Sequence, residues 1–477
     1  MPPTIRLEDL LTATRGRLLR PTLVTAFSGA AVDSRHVTSG CCFMALRGER
    51  VDGHAYVADA VRAGASVAIV SRPVELPAAL AAEAALVEVA DPLVALQELA
   101  AWWRARSPVR VVGITGSTGK TIAKELVADV LARSLTVLRN EGNLNSESGL
   151  PMTLLRLEPE HQVAVLEMSM YTVGEIARLA EIARPEVGVV LAVHPTHLER
   201  AGSIERIAQA KAELPQALPR SGLAVLNADD VRVAAMRRLT AAPVRTFGLS
   251  PAADVWAEEI VSRGLAGTEF TLHAPWGSRR VRSAMPGRHL VPHALAAAAV
   301  AERFAIRLDE VAAAFEAGSS APHRMAIVEA ASGATVVDDT YNASPISVGA
   351  ALGFLADTPL TEGRRRLAVL GDMLELGADE EQLHRGIGER AAAVLDGLVT
   401  VGERGRWIAE AARAAGLRHV AEARDNDEAA ELVERSLAPR VGDLLLLKAS
   451  RGIGLDRLVE TLRASGSERP DRRSEGE

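Results

Sequence analysis

The chain has 477 residues, of which 48% are hydrophobic and 24% charged, enough for several compact units of about 100–200 residues each. A net charge of −7 with no long Lys/Arg run argues against a nucleic-acid surface. No apolar run reaches the ~20 residues of a membrane span, and the N-terminus has no signal-type segment. The only cysteines, Cys41 and Cys42, are adjacent and give neither a disulfide framework nor a zinc spacing, so a cytoplasmic protein is expected.

Three regions follow one another. Residues 1–105 hold short strand-like runs, "ASVAIV" and "ALVEVA", and end in the helix-like "PLVALQELAAWWRAR". Residues 106–322 open on the apolar strand "VVGIT", then a glycine-rich loop and an amphipathic helix. Further strands follow at "QVAVLEMS", "EVGVVLAV" and "GLAVLNAD", each before a stretch of helical period. In residues 323–465 the alternation is plain. "TVVDDTY" precedes the helix "PISVGAALGFLAD", and "RLAVLGDM" precedes "DEEQLHRGIGERAAAVL". "GLVTVG" and "GDLLLLKAS" each lead into another helix. Such repetition predicts an α/β fold with mostly parallel sheets covered by helices. The polar tail 466–477 is expected to be disordered.

In "GITGSTGKT", Gly113, Gly116 and Gly119 allow successive backbone N–H groups, including those of Ser117 and Thr118, to turn toward one anion. Lys120 adds charge at the outer phosphates, Thr121 offers a hydroxyl to Mg²⁺, and the helix that starts there adds its N-terminal partial charge. The strict phosphate-loop pattern needs glycine at 114, where this chain has Ile114. Even so, a strand before and a helix after point to ATP phosphates.

Ligands of open α/β sheets lie beyond the carboxyl ends of strands. Glu167 ends "QVAVLEMS", where it suits Mg²⁺, although an ordinary solvated carboxylate fits the same pattern. His194 and His197 follow "EVGVVLAV", and His197 is the better candidate ligand. In "SIERIAQAKAELPQAL", Lys211 lies on the apolar stripe of Ile204, Ile207, Ala208 and Leu214. It either snorkels its charge outward or is desolvated, and a neutral amine takes up CO₂ to become a carbamate, an oxygen ligand for a metal.

With these residues in view, the chain resembles the Mur ligases in an ordered set of motifs from about residue 30 to 463. They include "DSRHVTSGCCFMALRGERVDGH", "GITGSTGKT", "EGNLNSESGLPMTLL", "LEMSMYTVGEIARLAEIARPEVGVV", "HLERAGSIERIAQAKAEL", "AVLNADD" and "HRMAIVEA". "DDTYNASPIS", "LGDMLELG" and "LLKASRGIGLD" complete the series. "DDTYNASP" with "GDMLELG" points to the dipeptide-adding member.

The resemblance implies three domains: a smaller α/β one for a UDP-sugar, a central phosphate-loop ATPase-type parallel sheet, and a C-terminal Rossmann-like sheet. It implies a reaction joining D-alanyl-D-alanine to a UDP-N-acetylmuramoyl-tripeptide with ATP and Mg²⁺, by a monomer. Ser34, Arg35, Asp52, Gly53 and His54 then lie near the uridine diphosphate. Asn143 and Asn145 lie near the phosphates and sugar substrate. Lys120 and Thr121 serve ATP and Mg²⁺, Glu167 and His197 are metal ligands, and Lys211 is the carbamylated lysine. Arg324, Asp339 and Asn342 reach the nucleotide, and Lys448, Ser450 and Arg451 belong to a substrate-side motif. The chain departs from the family at Ser146, Ser169 and Ser344, and at Leu290 and His293, where asparagines near the adenine are expected. Two alternatives stay open: a ligase of the same superfamily that adds another amino acid, and an ATP-binding scaffold without ligase activity.

Overall fold

The computed structural model describes residues 3–48, 51–80, 82–195, 202–318 and 323–464. His197 and the tail 466–477 lie outside them. The chain forms two compact units, one of residues 1–116, 131–191 and 206–245, the other of residues 117–130, 192–205 and 246–477.

The first unit holds a two-stranded antiparallel pair, Thr4–Arg6 with Ala26–Ser28, and two larger sheet regions. In the N-terminal sheet the strands run in the order Arg17–Leu18, Ala85–Glu88, Val67–Val70, Cys42–Met44, Ala30–Ala31, the last four parallel. The strand edge leads into the helix Pro92–Arg104, which starts sharply. Asp91 accepts N–H bonds from Leu93 (2.7 Å) and Val94 (3.2 Å), and Pro92 fits the first turn, where no N–H partner is needed.

The other region is parallel, in the order Leu223–Asn227, Val187–Val190, Arg110–Thr115, Val163–Glu167, Val137–Arg139. Arg110–Thr115 is central, and its apolar run Val111–Ile114 is buried on both faces. Chain order reverses about this strand, so its carboxyl end, at Gly116, is a topological switch point. Glu167 stands in register beside Ile114 on the neighbouring strand. Close approach explains Gly113: a Cβ there would meet Leu214 and Met168 side chains at 3.0–3.2 Å.

The second unit contains the helix Lys120–Leu131 up to residue 130, an antiparallel ribbon and a six-stranded sheet. The ribbon, Val255–Ser262, Thr268–Ala274 and Gly277–Ser283, breaks the strand–helix alternation and was not among the expected elements. The six-stranded sheet has the order Ala326–Glu329, Thr335–Asp338, Leu444–Lys448, Arg366–Gly371, Gly397–Val401, Val420–Ala423. All its neighbours are parallel except the first pair. Ser344, a departure from the family pattern, caps the helix Pro345–Asp357: its side chain accepts from Ser347 N–H. Two apolar layers cover this sheet, one around Leu352, Phe354 and Leu446, the other around Val369, Leu445 and Leu447.

Candidate active site

In the second unit the phosphate loop is held by its neighbours before any ligand arrives. Ser117 N–H donates to the Ala192 carbonyl (2.8 Å). Ser117 Oγ donates to the His194 carbonyl (3.0 Å) and accepts from His194 N–H (2.9 Å). His194 thus braces the loop with its backbone. Gly119 sits at φ +77°, where a side chain is strained, and an added Cβ would fall 1.8 Å from His293 Nε2. The imidazole of His293 therefore packs on the loop itself. Burial holds His289 and His293 down to pKa values of about 4, so both rings are neutral near pH 7.

Lys120 opens the helix, and Thr121 beside it is buried. Thr121 Oγ accepts from Arg324 Nη2 at 2.9 Å. Arg324 lies between two non-glycine residues with left-handed backbones, His323 (φ 55°) and Met325 (φ 54°), an outlier of the kind found where a side chain must be aimed. Its guanidinium lies 4.0 Å from the Tyr341 ring centroid, and that of Arg451 lies 4.9 Å from the same ring. The buried Nε of Arg324 has no hydrogen-bond partner among the described residues, as suits a donor waiting for an anion.

Beyond the carboxyl ends of the six-stranded sheet, Lys448 is 2% exposed. Its ammonium bonds the Asp339 carboxylate and the Asn342 carbonyl (2.9 Å). Burial lowers the Lys448 pKa, and the charge of Asp339 opposes that fall. Asp339 and the Asn342 backbone, expected near the nucleotide, are thus engaged by Lys448, while the Asn342 residue itself is exposed. Ser450 Oγ accepts from Leu374 N–H (2.9 Å), and Ser450 N–H donates to the Asp372 carbonyl (2.9 Å). Together they tie the strand ends across the crevice. Burial raises the Asp372 pKa against N–H bonds from Gly405 and Arg404.

In the first unit Glu167 is 3% exposed, and its Oε1 accepts from Asn145 Nδ2 at 2.7 Å. Asn140, which sequence reasoning missed, brackets it: Oδ1 accepts Glu167 N–H (2.9 Å) and Nδ2 donates to the Glu167 carbonyl (3.2 Å). The run of asparagines in "RNEGNLN" was the available signal. Asn143 is exposed on the intervening turn. Lys211 is 3% exposed, so its charge does not snorkel to solvent. Its helix, Ile204–Gln216, is anchored two residues on by Glu213, whose carboxylate accepts Gly174 N–H (2.6 Å) and Ala177 N–H (2.9 Å).

Thr121 in the second unit carries a hydroxyl and Glu167 in the first a buried carboxylate, each an oxygen donor of the kind Mg²⁺ takes together with water and substrate phosphates. Near the N-terminus, Asp52 bonds both the His54 backbone N–H and its ring, while Ser34 and Arg35 form a single turn capped by Asp33.

Comparison with known proteins bears on the chain as a whole. Residues 27–104 match the Mur ligase family catalytic domain, 114–301 the Mur ligase middle domain, and 323–451 the Mur ligase glutamate ligase domain. The chain is 41% identical to the UDP-N-acetylmuramoyl-tripeptide–D-alanyl-D-alanine ligase of Mycobacterium tuberculosis, over 92% of its own length and 93% of that protein. The chain belongs to the Mur ligase family. Among solved structures of this family, MurF from Acinetobacter baumannii is similar with a TM-score of 0.85 at 32% identity, covering 97% of this chain and 99% of that one. MurF from Thermotoga maritima, solved in complex with ADP, is similar with a TM-score of 0.77 at 28% identity, covering 91% and 97%. Among the described residues of this Mur ligase, no helix is long and apolar enough to cross a membrane.

Proposed function

We propose that this chain is an ATP-dependent amide ligase of peptidoglycan precursor synthesis. It joins D-alanyl-D-alanine to a UDP-N-acetylmuramoyl-tripeptide. A carboxylate repels nucleophiles and has no viable leaving group, so it is first phosphorylated. The tripeptide carboxylate attacks the γ-phosphoryl of ATP and ADP leaves. The dipeptide amine then attacks the acyl phosphate, loses a proton and expels phosphate, forming the amide. The observation that carries this reading is likeness over nine-tenths of the chain to relatives bearing that name. The retained loop residues Lys120 and Thr121 and the aimed Arg324 add to it. On the resemblance, residues 1–105, 106–322 and 323–465 divide the work as sugar, ATP and C-terminal domains, in a cytoplasmic monomer.

The protein groups act by position and charge. Lys120, with the N–H groups of Thr118 and Gly119, receives the ATP phosphates, while the Ser117 N–H is committed to the Ala192 carbonyl. Arg324 offers its free Nε to an anion. Asn145 orients the Glu167 carboxylate, and Asn140 holds the backbone that carries it. Thr121 and Glu167 would each offer Mg²⁺ an oxygen, and the ion would supply charge that quiets repulsion between two anions. On the resemblance, the buried Lys211 amine would add in its neutral form to CO₂, forming an N–C bond and releasing a proton. That carbamate would hold a metal, and His197 is assigned to the same role on its motif alone. Asn143, Lys448, Ser450 and Arg451 serve substrate positioning on the same footing.

The test is phosphate release with ATP and UDP-muramoyl-tripeptide, comparing D-alanyl-D-alanine with single amino acids. Release driven by the dipeptide, with a matching amide product, is expected. Release driven only by a single amino acid would move the chain to a sibling activity, and ATP binding without any amide would leave a scaffold.

A further inference from the structure

The carboxyl edge of the N-terminal sheet carries a network that the sugar-binding motif only half contains. Because Ala30–Ala31, Cys42–Met44 and Val67–Val70 run parallel, the segments that leave them open on one side. Those segments bring Asp33, Ser34 and Arg35, then Asp52 and His54, then Ser71 and Arg72 to one edge. Such an edge is where parallel sheets receive ligands. A Cβ on Gly53 would lie 2.7 Å from the Leu46 carbonyl oxygen, so the middle loop folds back tightly on its own strand.

Asp52 is committed to the protein on both oxygens. Oδ1 accepts from His54 N–H (3.0 Å) and from His54 Nδ1 (2.6 Å), and Oδ2 accepts from Arg72 Nη2 (2.8 Å). The His54 ring is buried, and its Nε2 accepts the Ser71 backbone N–H at 2.9 Å, so the ring hydrogen is on Nδ1, facing Asp52. The imidazole thereby ties the turn carrying Arg72 to the carboxylate that orients Arg72. A carboxylate repels a diphosphate, whereas a guanidinium presents a planar fork of donors to it. With Nη2 fixed and the side chain 63% exposed, Arg72 faces the ligand edge already ordered, which lowers the entropy cost of binding.

We propose that Arg72 receives the diphosphate of the UDP-linked substrate, and that Asp52 and His54 are positioning residues that hold it. The proposal rests on the reading that this region takes a UDP-sugar. It is tested by calorimetric titration of the full chain with UDP, UMP and uridine, with ADP saturating the ATP site, and by steady-state kinetics. Arg72→Ala is expected to weaken UDP binding about tenfold to a hundredfold, as for loss of one or two charge-assisted bonds. Uridine affinity should stay unchanged, KM for the UDP-tripeptide should rise by the UDP factor, and kcat and KM for ATP should hold. Arg72→Lys, with charge but no fork, should fall between, and Asp52→Asn should lose part of the preference for UDP over UMP. Unchanged UDP affinity in Arg72→Ala overturns the proposal, as does an equal loss for uridine, which would mark a structural role. Wild-type chain that shows the Arg72-dependent UDP preference but forms no amide would overturn the ligase reading and leave Arg72 assigned.

Discussion

At the carboxyl edge of the N-terminal sheet, Asp52 and Arg72 meet with side chains 38% and 63% exposed; at that of the six-stranded sheet, Asp339 and Lys448 meet at 10% and 2%. The two pairs are chemically alike and physically different. Water and salt screen the first, so it adds little to stability, and its use lies in aiming a cation outward. The second has given up its hydration, and each charge is tolerated only because the other is there. Similar strand-end pairs are thus set apart by exposure: one can turn a cation outward, and the other holds two buried charges on each other.

The strongest challenge to that division is Lys211, a buried lysine assigned to chemistry rather than to architecture. Lys211→Ala is expected to lower turnover by about a thousandfold or more while the fold survives. Short carboxylic acids that stand in for the carbamate should restore part of the activity. Full activity without Lys211 would remove its role.

Lys448→Ala comes next in size. It leaves the Asp339 carboxylate buried without its partner, at a cost of about 3–5 kcal/mol in stability, read from the urea midpoint. A double Lys448→Met, Asp339→Leu variant should recover much of that loss, since it removes both buried charges. A single variant as stable as wild type would place this pair with the exposed one.

Acid sharpens the contrast by a smaller margin. His289 and His293 have folded pKa values of about 4, pushed down by burial, against about 6.5 in the unfolded chain. Below about pH 6.5 the unfolded chain binds protons that the folded one refuses, so stability falls as pH drops toward 4. Bonds from His54 N–H and its ring hold Asp52 down to about 2, so the exposed carboxylate stays ionised through this window. His293→Asn should flatten the pH dependence of the urea midpoint, and an unchanged slope would contradict the burial account.

Much of this was legible in the sequence where the signal is local. The helix Pro345–Asp357 coincides with "PISVGAALGFLAD" because Ser344 and Pro345 fix its start chemically. The phosphate loop and the strand-end position of Glu167 follow from apolar runs and glycine spacing. The ribbon Val255–Ser283 was harder, since strands such as "GSRRVRS" are exposed and charged and lack the apolar run that marks a buried strand. His293 against Gly119 and Arg72 on Asp52 were not legible, because each partner lies 20 or more residues away in sequence, and for Asn140 around Glu167 the asparagine run was the one local signal. The departures at Leu290 and His293 also read differently in three dimensions. Leu290 is buried in the core and His293 packs on the phosphate loop.

The most direct measurement follows oxygen. UDP-muramoyl-tripeptide labelled with ¹⁸O in its terminal carboxylate is turned over with ATP and D-alanyl-D-alanine, and the released phosphate is weighed by mass spectrometry. Attack of the carboxylate on the γ-phosphoryl predicts one ¹⁸O in each phosphate, formed in step with amide. Phosphate free of label alongside amide product would contradict the acyl-phosphate route.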